Sequence, residues 1–358
     1  MSRRLRIKKE VERVGGSEET RKSGVRGDER EMKQDEILDS GISLDPFDAG
    51  KAHFWGTVLG EIVSIVIGVV IIWFSMTPNI SEISEESPVL LFVDFVAVAI
   101  SYIVMIIVLT SAGKKKGLSF GETFRLKKVD LEASHILLLV VLGIAIIYVE
   151  ALVFAGIDLL LKGKLLEWAT AVVPSPGELS VLVVVRMVLI VPIVEEMVFR
   201  GFFLNAFSDW GQEWAVIFLA IFFALLHNPL AMIGAFVIAV VSGILAVKYD
   251  SIVPGILIHV GANLAGAGLP YVEVISSRSV YLIVVSVVIV GTIATLFFSR
   301  SEVSLLWQDF KLFWSQFRQD PEGWQKFKSL AKHWAWLLEF IFIGFTWALI
   351  VVGTIKWL

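Results

Sequence analysis

Nine apolar stretches of near-membrane-spanning length recur along this chain, at about 54–76, 88–112, 134–159, 179–203, 213–228, 229–247, 252–268, 279–299 and 334–356. A soluble domain has no need of repeated runs of roughly 20 apolar residues, so the pattern calls for helices that cross a bilayer. Lipid offers no partner for backbone N–H and C=O groups, and a helix satisfies them within itself. The expected fold class is all-α, a polytopic transmembrane helical bundle of eight or nine spans, of which the fifth and seventh are the shortest. Composition agrees: 56% of the 358 residues are hydrophobic and 18% charged, with mean hydropathy +0.78.

Between and beyond the spans the chain divides by charge. Residues 1–50 are polar, with a basic cluster at Arg3, Arg4, Arg6, Lys8 and Lys9 followed by mixed charges. This composition reads as a disordered cytosolic tail, too poor in apolar residues to fold alone and unlike a cleavable signal peptide. The loop Asn79–Ser87 carries no Lys or Arg, whereas the next contains Lys114, Lys115, Lys116, Arg125, Lys127 and Lys128. Positive charge favours the cytosolic side, which places the second loop and the N-terminus inside and outweighs Lys162 and Lys164 on the following outer loop. The membrane domain is expected over 51–300 and a last span within 332–358. Between them, 301–331 is too polar to cross. Trp307, Phe310, Phe313, Trp314 and Phe317 at helical spacing, with Trp324 and Phe327 beyond, mark an interfacial amphipathic helix near the C-terminus, on the cytosolic face; a small partner-binding domain is the alternative. The chain has no cysteine, which excludes disulfides and thiolate chemistry. The small net charge of −4 and the lack of a Gly-rich phosphate loop give no sign of a nucleic-acid partner.

Against this background Glu195, Glu196 and Arg200 stand out, three charges within six residues of an apolar run. Each costs at least a few kcal/mol at membrane depth and calls for a reason. Glu196 and Arg200 are four apart with the acid first, the favourable order for a helical pair. Glu195 is turned about 100° away and lacks that partner, leaving it as the candidate working carboxylate. Two histidines fall inside spans, His227 at the end of the fifth and His259 in the seventh, where Asn263 follows four residues later on the same face. With the N-terminus inside, Glu195 and His227 each lie about 20–27 Å of chain from the cytosolic turn near Asp209, and His259 is shallower. The groups can meet in one cavity in the cytosolic half. An acid, two imidazoles and an amide are what activation of water and stabilisation of an oxyanion require.

Three motifs, Glu195-Glu196-Met197-Val198-Phe199-Arg200, Phe223-Ala224-Leu225-Leu226-His227 and His259-Val260-Gly261-Ala262-Asn263, follow in order. This set resembles the EExxxR, FxxxH and HxxxN pattern of the CAAX protease and bacteriocin-processing family of intramembrane endopeptidases, to which the Ras-converting CAAX prenyl proteases belong. The matching core spans about 179–268. The resemblance implies that Glu195, helped by His227, is the general base for water attacking a peptide carbonyl. It further implies that His259 and Asn263 bind the oxyanion, that Glu196 and Arg200 support the carboxylate, and that Phe223 belongs to the supporting set. It implies an integral protein of a prokaryotic plasma membrane whose partners are membrane lipid and a membrane-associated peptide or protein, prenylated CAAX-type peptides being the best-known class.

Other readings of the same residues stand beside this one. The charges can be packing pairs and the His–Asn pair interhelical glue, as in a membrane scaffold or an immunity or regulatory protein. No cofactor is expected, although Glu195, His227 and His259 are the donor types of a His₂Glu zinc site, the minority alternative, for which no HExxH is present. Arg186 has Glu150 or Asp158 as candidate partners, while Asp94, Glu61 and Glu339 lie nearer span ends or face cavities. Asn228-Pro229 marks a break after the fifth span.

Overall fold

The computed structural model describes residues 44–75, 88–162, 164, 181–228, 230–275, 278–320, 322–330 and 332–355. Among them every regular element is helical. The chain runs through α1 (Pro46–Ser75), α2 (Pro88–Lys115), a one-turn helix (Phe120–Thr123) and α3 (Ala133–Leu160). It continues through a broken rod, α4 (181–206), then α5 (Gln212–Leu225), α6 (Met232–Tyr249), α7 (Val253–Ile275), α8 (Arg278–Phe298), α9 (Arg300–Gln319), α10 (Gly323–Leu330) and α11 (Trp334–Ile355). The expectations for the tail up to residue 43, the loop at 79–87 and Pro229 lie outside the described residues. Residues 46–50, read as tail, open α1.

Among the described residues four helices are long and apolar enough to cross a membrane, Pro46–Ile71, Leu91–Lys115, Ala133–Leu160 and Met232–Tyr249. A fifth is reached if Ser286–Phe298 and Arg300–Gln319, bent by 82°, count as one span, and Gln212–Leu225, Val253–Ala267 and Trp334–Phe345 are shorter apolar helices. The 301–331 stretch divides into α9 and α10, and both pack on α5. Trp214 Nε1 donates to Asp320 O at 2.9 Å, Lys248 and Asp309 pair at 2.6 Å, and the Phe327 ring stacks on Phe207 and Phe218.

Small residues let the helices approach closely where lipid gives them no hydrophobic push. On α3, Gly143 faces the carbonyl of Ile258 in α7; on α7, Gly261 faces the carbonyl of Val140 in α3. A methyl group at either position would overlap the partner's backbone, so this seam fixes where α7, and His259 with it, can sit. Glu150 lies farther along α3, where it accepts from Gly234 N at 2.6 Å and so caps the unpaired amides at the start of α6.

On the other side an aromatic core holds α4 to α5 and α11. Phe199, Phe203 and Phe207 from α4 meet Phe218 and Phe222 from α5 and the fully buried Trp336 from α11. Trp336 Nε1 donates to Pro46 O at 3.0 Å and its ring lies against Gly50, tying α11 to α1. His53 on α1 and Glu339 on α11, both buried, bond at 2.8 Å beside Phe203.

The loop after α2 closes the basic end of the bundle. A capping box starts its single helical turn: Ser119 Oγ accepts from Glu122 N while Glu122 accepts from Ser119 N. Ser119 Oγ also donates to the Glu122 carboxylate at 2.6 Å, and this bond, with the one from Ser119 N, favours the charged form and holds the carboxyl below the usual glutamate range. Arg125, in the left-handed region at φ 49° and buried, donates from Nε to Asn205 Oδ1 at 2.6 Å and stands 3.8 Å from Asp250. Burial pulls its guanidinium pKa down and Asp250 opposes that. Asn205 returns bonds to the carbonyls of Glu122 and Thr123, Lys127 pairs with Asp250, and Ile252 N donates to Arg125 O. One short loop thus gathers the end of α4 and the α6–α7 turn.

The α3–α7 seam makes a paired prediction. Gly261→Ala should destabilise by about 1–3 kcal/mol, because the added methyl meets backbone. Gly266→Ala on the same helix, with nothing within 4 Å of the new carbon, should be neutral or stabilise by up to about 1 kcal/mol. Thermal unfolding of the two purified variants in detergent checks the contrast.

Candidate active site

The site is built on α4, which is not a regular helix. Its pieces are Val181–Val185, a π-helical turn Arg186–Ile190, Val191–Glu196, a second π-helical stretch Met197–Phe203 and Leu204–Ala206. The junction residues keep right-handed helical backbone, so the rod stays continuous. Pro192 explains part of the irregularity. Val191 N donates to Arg186 O, a five-residue step. The next donor in that register would be residue 192, and proline has no N–H. Met187 O is left over, and Asn263 Nδ2 on α7 donates to it at 2.7 Å. One of the two amide hydrogens of Asn263 is spent in this way, which ties α7 to the first break in α4.

The acids close the segment Val191–Glu196, and Arg200 lies in the π-helical stretch that follows it. Glu196 is fully buried and Arg200 is 3% exposed, and Glu196 Oε1 lies 3.1 Å from Arg200 Nη1. The Arg200 guanidinium lies over the Phe223 ring at 4.6 Å, so Phe223 supports the cation by a cation–π contact. Glu196 Oε1 also meets His259 Nδ1 at 3.3 Å. A carboxylate held by Arg200 can only accept, so Nδ1 carries the hydrogen and His259 is fixed in orientation. Its other nitrogen, Nε2, stands 3.5 Å from Glu195 Oε2.

Glu195 differs from its neighbour by exposure. Its side chain is 25% exposed where that of Glu196 is 0%. Its Oε2 makes no hydrogen bond, and the 3.5 Å separation from His259 is a close approach that a substrate or water can tighten. The two adjacent glutamates bracket one imidazole, the anchored acid on Nδ1 and the accessible acid on Nε2.

His227 lies beside this array. It follows the last turn of α5, where carbonyls lack helical donors, and its Nδ1 bonds Phe223 O at 2.8 Å. A carbonyl accepts, so Nδ1 carries the hydrogen and Nε2 is the basic nitrogen. The Phe223 ring stands 4.5 Å from the His227 ring and 5.7 Å from the His259 ring. The fold therefore gathers Glu195, Glu196, Arg200, Phe223 and His259, brings Asn263 one turn beyond His259, and sets His227 against the Phe223 ring. Among the described residues no group of three His, Asp or Glu side chains is disposed to hold a metal ion.

Features that the sequence reading missed lie around this array. Arg186 pairs with Asp94 on α2, and Tyr102, also on α2, is half-buried within electrostatic range of Glu195, Arg186 and Glu61. Asp94 and Tyr102 are eight apart, two helical turns, a spacing visible in the sequence once α2 is known to face α4.

Residues 177–265 match a family model described as Type II CAAX prenyl endopeptidase Rce1-like. The match contains all three motifs and covers about a quarter of the chain. The segment is similar to CAAX-protease-type domains, and the chain that carries it is an integral membrane protein. No curated protein and no solved structure matches the chain.

Removing one partner of a buried ion pair strands the other charge at a cost of about 3–5 kcal/mol. Arg200→Leu should therefore lower stability by that amount, and the double variant Glu196→Leu/Arg200→Leu should recover much of the loss. A double-mutant cycle of unfolding in mixed micelles measures both.

Proposed function

We propose that the chain is an intramembrane endopeptidase that hydrolyses a peptide bond in a membrane-associated peptide or protein. The observation that carries this reading is the Arg200–Glu196–His259–Glu195 array, which ends on a carboxylate a quarter exposed whose Oε2 is buried and unbonded beside His259 Nε2. Glu195 takes a proton from water as its oxygen attacks the carbonyl carbon. Charge then develops on the carbonyl oxygen, where the second amide hydrogen of Asn263 meets it, and His259, carrying a hydrogen on each nitrogen in this step, donates from Nε2. His227, with Nε2 basic, assists in moving the water proton. As the C–N bond breaks, Glu195 passes its proton to the departing amine, leaving a carboxylic acid and the original carboxylate. The reaction needs no metal in this scheme, and the donor arrangement around His259 supports that.

In the same reading the remaining apolar segments join the four long helices in the membrane, eight or nine spans in all. The N-terminus is cytosolic in a prokaryotic plasma membrane, and α9 with α10 lies along the cytosolic face. The 82° bend after α8 and exposed Trp307, Trp314 and Trp324 support the interfacial placement. The family description names CAAX prenyl substrates, so a farnesylated CAAX-type peptide is the first probe, beside its unprenylated counterpart.

One observation favours a non-catalytic scaffold or regulatory role instead: the bond from Asn263 to Met187 O is helix-to-helix glue. The two readings part at Glu195. General acid–base groups contribute roughly 10²–10⁴ in rate. Glu195→Gln should thus lower peptide cleavage at least about 100-fold with an unchanged thermal midpoint, measured on purified protein in lipid nanodiscs by mass spectrometry of products. A full rate in the variant would end its role as base; a large loss of stability with no cleavage by either form would favour the scaffold.

A further inference from the structure

A fourth helix reaches the array from behind. Ser242 lies on α6, which carries none of the three motifs, and it is fully buried. A β-carbon added at Gly255 would stand 2.5 Å from Glu196 Oε2 and 3.2 Å from Ser242 Cβ, so those two atoms are at most 5.7 Å apart, the total of the two distances. Both Ser242 Oγ and Glu196 Oε2 are buried without a hydrogen-bond partner, as are the terminal nitrogens of Arg200. Buried polar atoms are nearly always paired, so several orphans at one point ask for a reason.

The ordinary role of a helical serine does not supply it. Such a hydroxyl bonds to the carbonyl four residues back, as Thr110, Ser111 and Thr295 do in this molecule. Ser242 does not. Its Cβ instead borders the small space that Gly255, having no side chain, leaves open beside Glu196 Oε2.

We propose that Ser242 is a positioning residue whose hydroxyl donates to Glu196 Oε2. Arg200 and His259 both engage Oε1. A donor on Oε2 fixes the plane of the carboxylate, which keeps Oε1 aimed at His259 Nδ1 and thereby Nε2 aimed at Glu195. Partners of this kind hold a ligand or catalytic imidazole in one orientation and tautomer. Gly255 is part of the same device, since a β-carbon there would stand 2.5 Å from Glu196 Oε2 and crowd the carboxylate.

The charged groups facing Glu196 are Glu195 and Arg200 from α4 and His259 from α7. Losing a donor on Oε2 frees the carboxylate to turn, which loosens its contact with His259 Nδ1–H and lets that hydrogen exchange with water. The inference rests on the catalytic reading of this array, but its test does not need turnover. Full-length protein carrying ¹⁵N-histidine is studied in nanodiscs at one fixed pH, following solvent exchange of the Nδ1–H signal that disappears in His259→Gln. In Ser242→Ala that signal should exchange about three- to tenfold faster, while Ser242→Thr, which keeps the hydroxyl, should match the parent. An unchanged exchange rate in Ser242→Ala overturns the proposal, and so does an equal change in both variants, which would mean a packing effect. Faster exchange in a protein that cleaves no peptide would leave the proposal standing and remove the peptidase reading alone.

Discussion

A carboxylate with no exposed surface, at membrane depth, is the constraint on which the rest of this molecule turns. Glu196 can remain charged there only if opposite charge and donors are brought to it, since the penalty for taking an ion out of water is several kcal/mol. Arg200 is one helical turn away and supplies the charge. The guanidinium is itself buried, and it rests on the face of Phe223, which belongs to α5. His259 on α7 supplies a donor to the same oxygen. A single buried acid thus binds three helices together, and none of the three can shift without stranding a charge.

The other contacts secure that meeting. Gly143 and Gly261 set the distance between α3 and α7 at backbone contact. The loop around Arg125 gathers the end of α4 and the turn leading into α7, while the phenylalanines of α4 and α5 close around Trp336. The breaks in α4 belong to the same account. Pro192 leaves Met187 O without its helical donor, and Asn263 fills the place, so an irregularity in one helix becomes a point of registration for another. Such π-type turns are rare and concentrate where helices carry functional groups.

Much of this was readable in the sequence. Repeated apolar runs dictate helices, and the i,i+4 spacing of Glu196 and Arg200 leads straight to their pair, because both signals are local. The three motifs mark the segment that the family model also matches. What stayed hidden depends on rotation and register between helices. The spacing rules place Glu195 on another face from Glu196 but cannot reveal that His259 reaches both acids. They offered Glu150 and Asp158 to Arg186, whereas Asp94 on α2 takes it and Glu150 caps α6. Nothing in a one-dimensional pattern says that the Phe223 ring will meet both imidazoles, or that 301–331 will divide into two helices laid on α5.

The adjacent glutamates show how one residue type comes to hold two states. Their side chains are chemically identical and about 100° apart on the rod. That rotation turns one toward arginine, imidazole and complete burial, and leaves the other a quarter exposed with an oxygen unbonded. An acid locked on both sides by a cation and a donor is poorly suited to collect a proton from water. An acid with one free oxygen and an oriented imidazole 3.5 Å away is well suited. Environment separates acid–base roles in this way wherever two carboxylates share a site. Here the separation follows from helix geometry alone, and it would be lost if a single residue were inserted or deleted between Glu195 and Arg200.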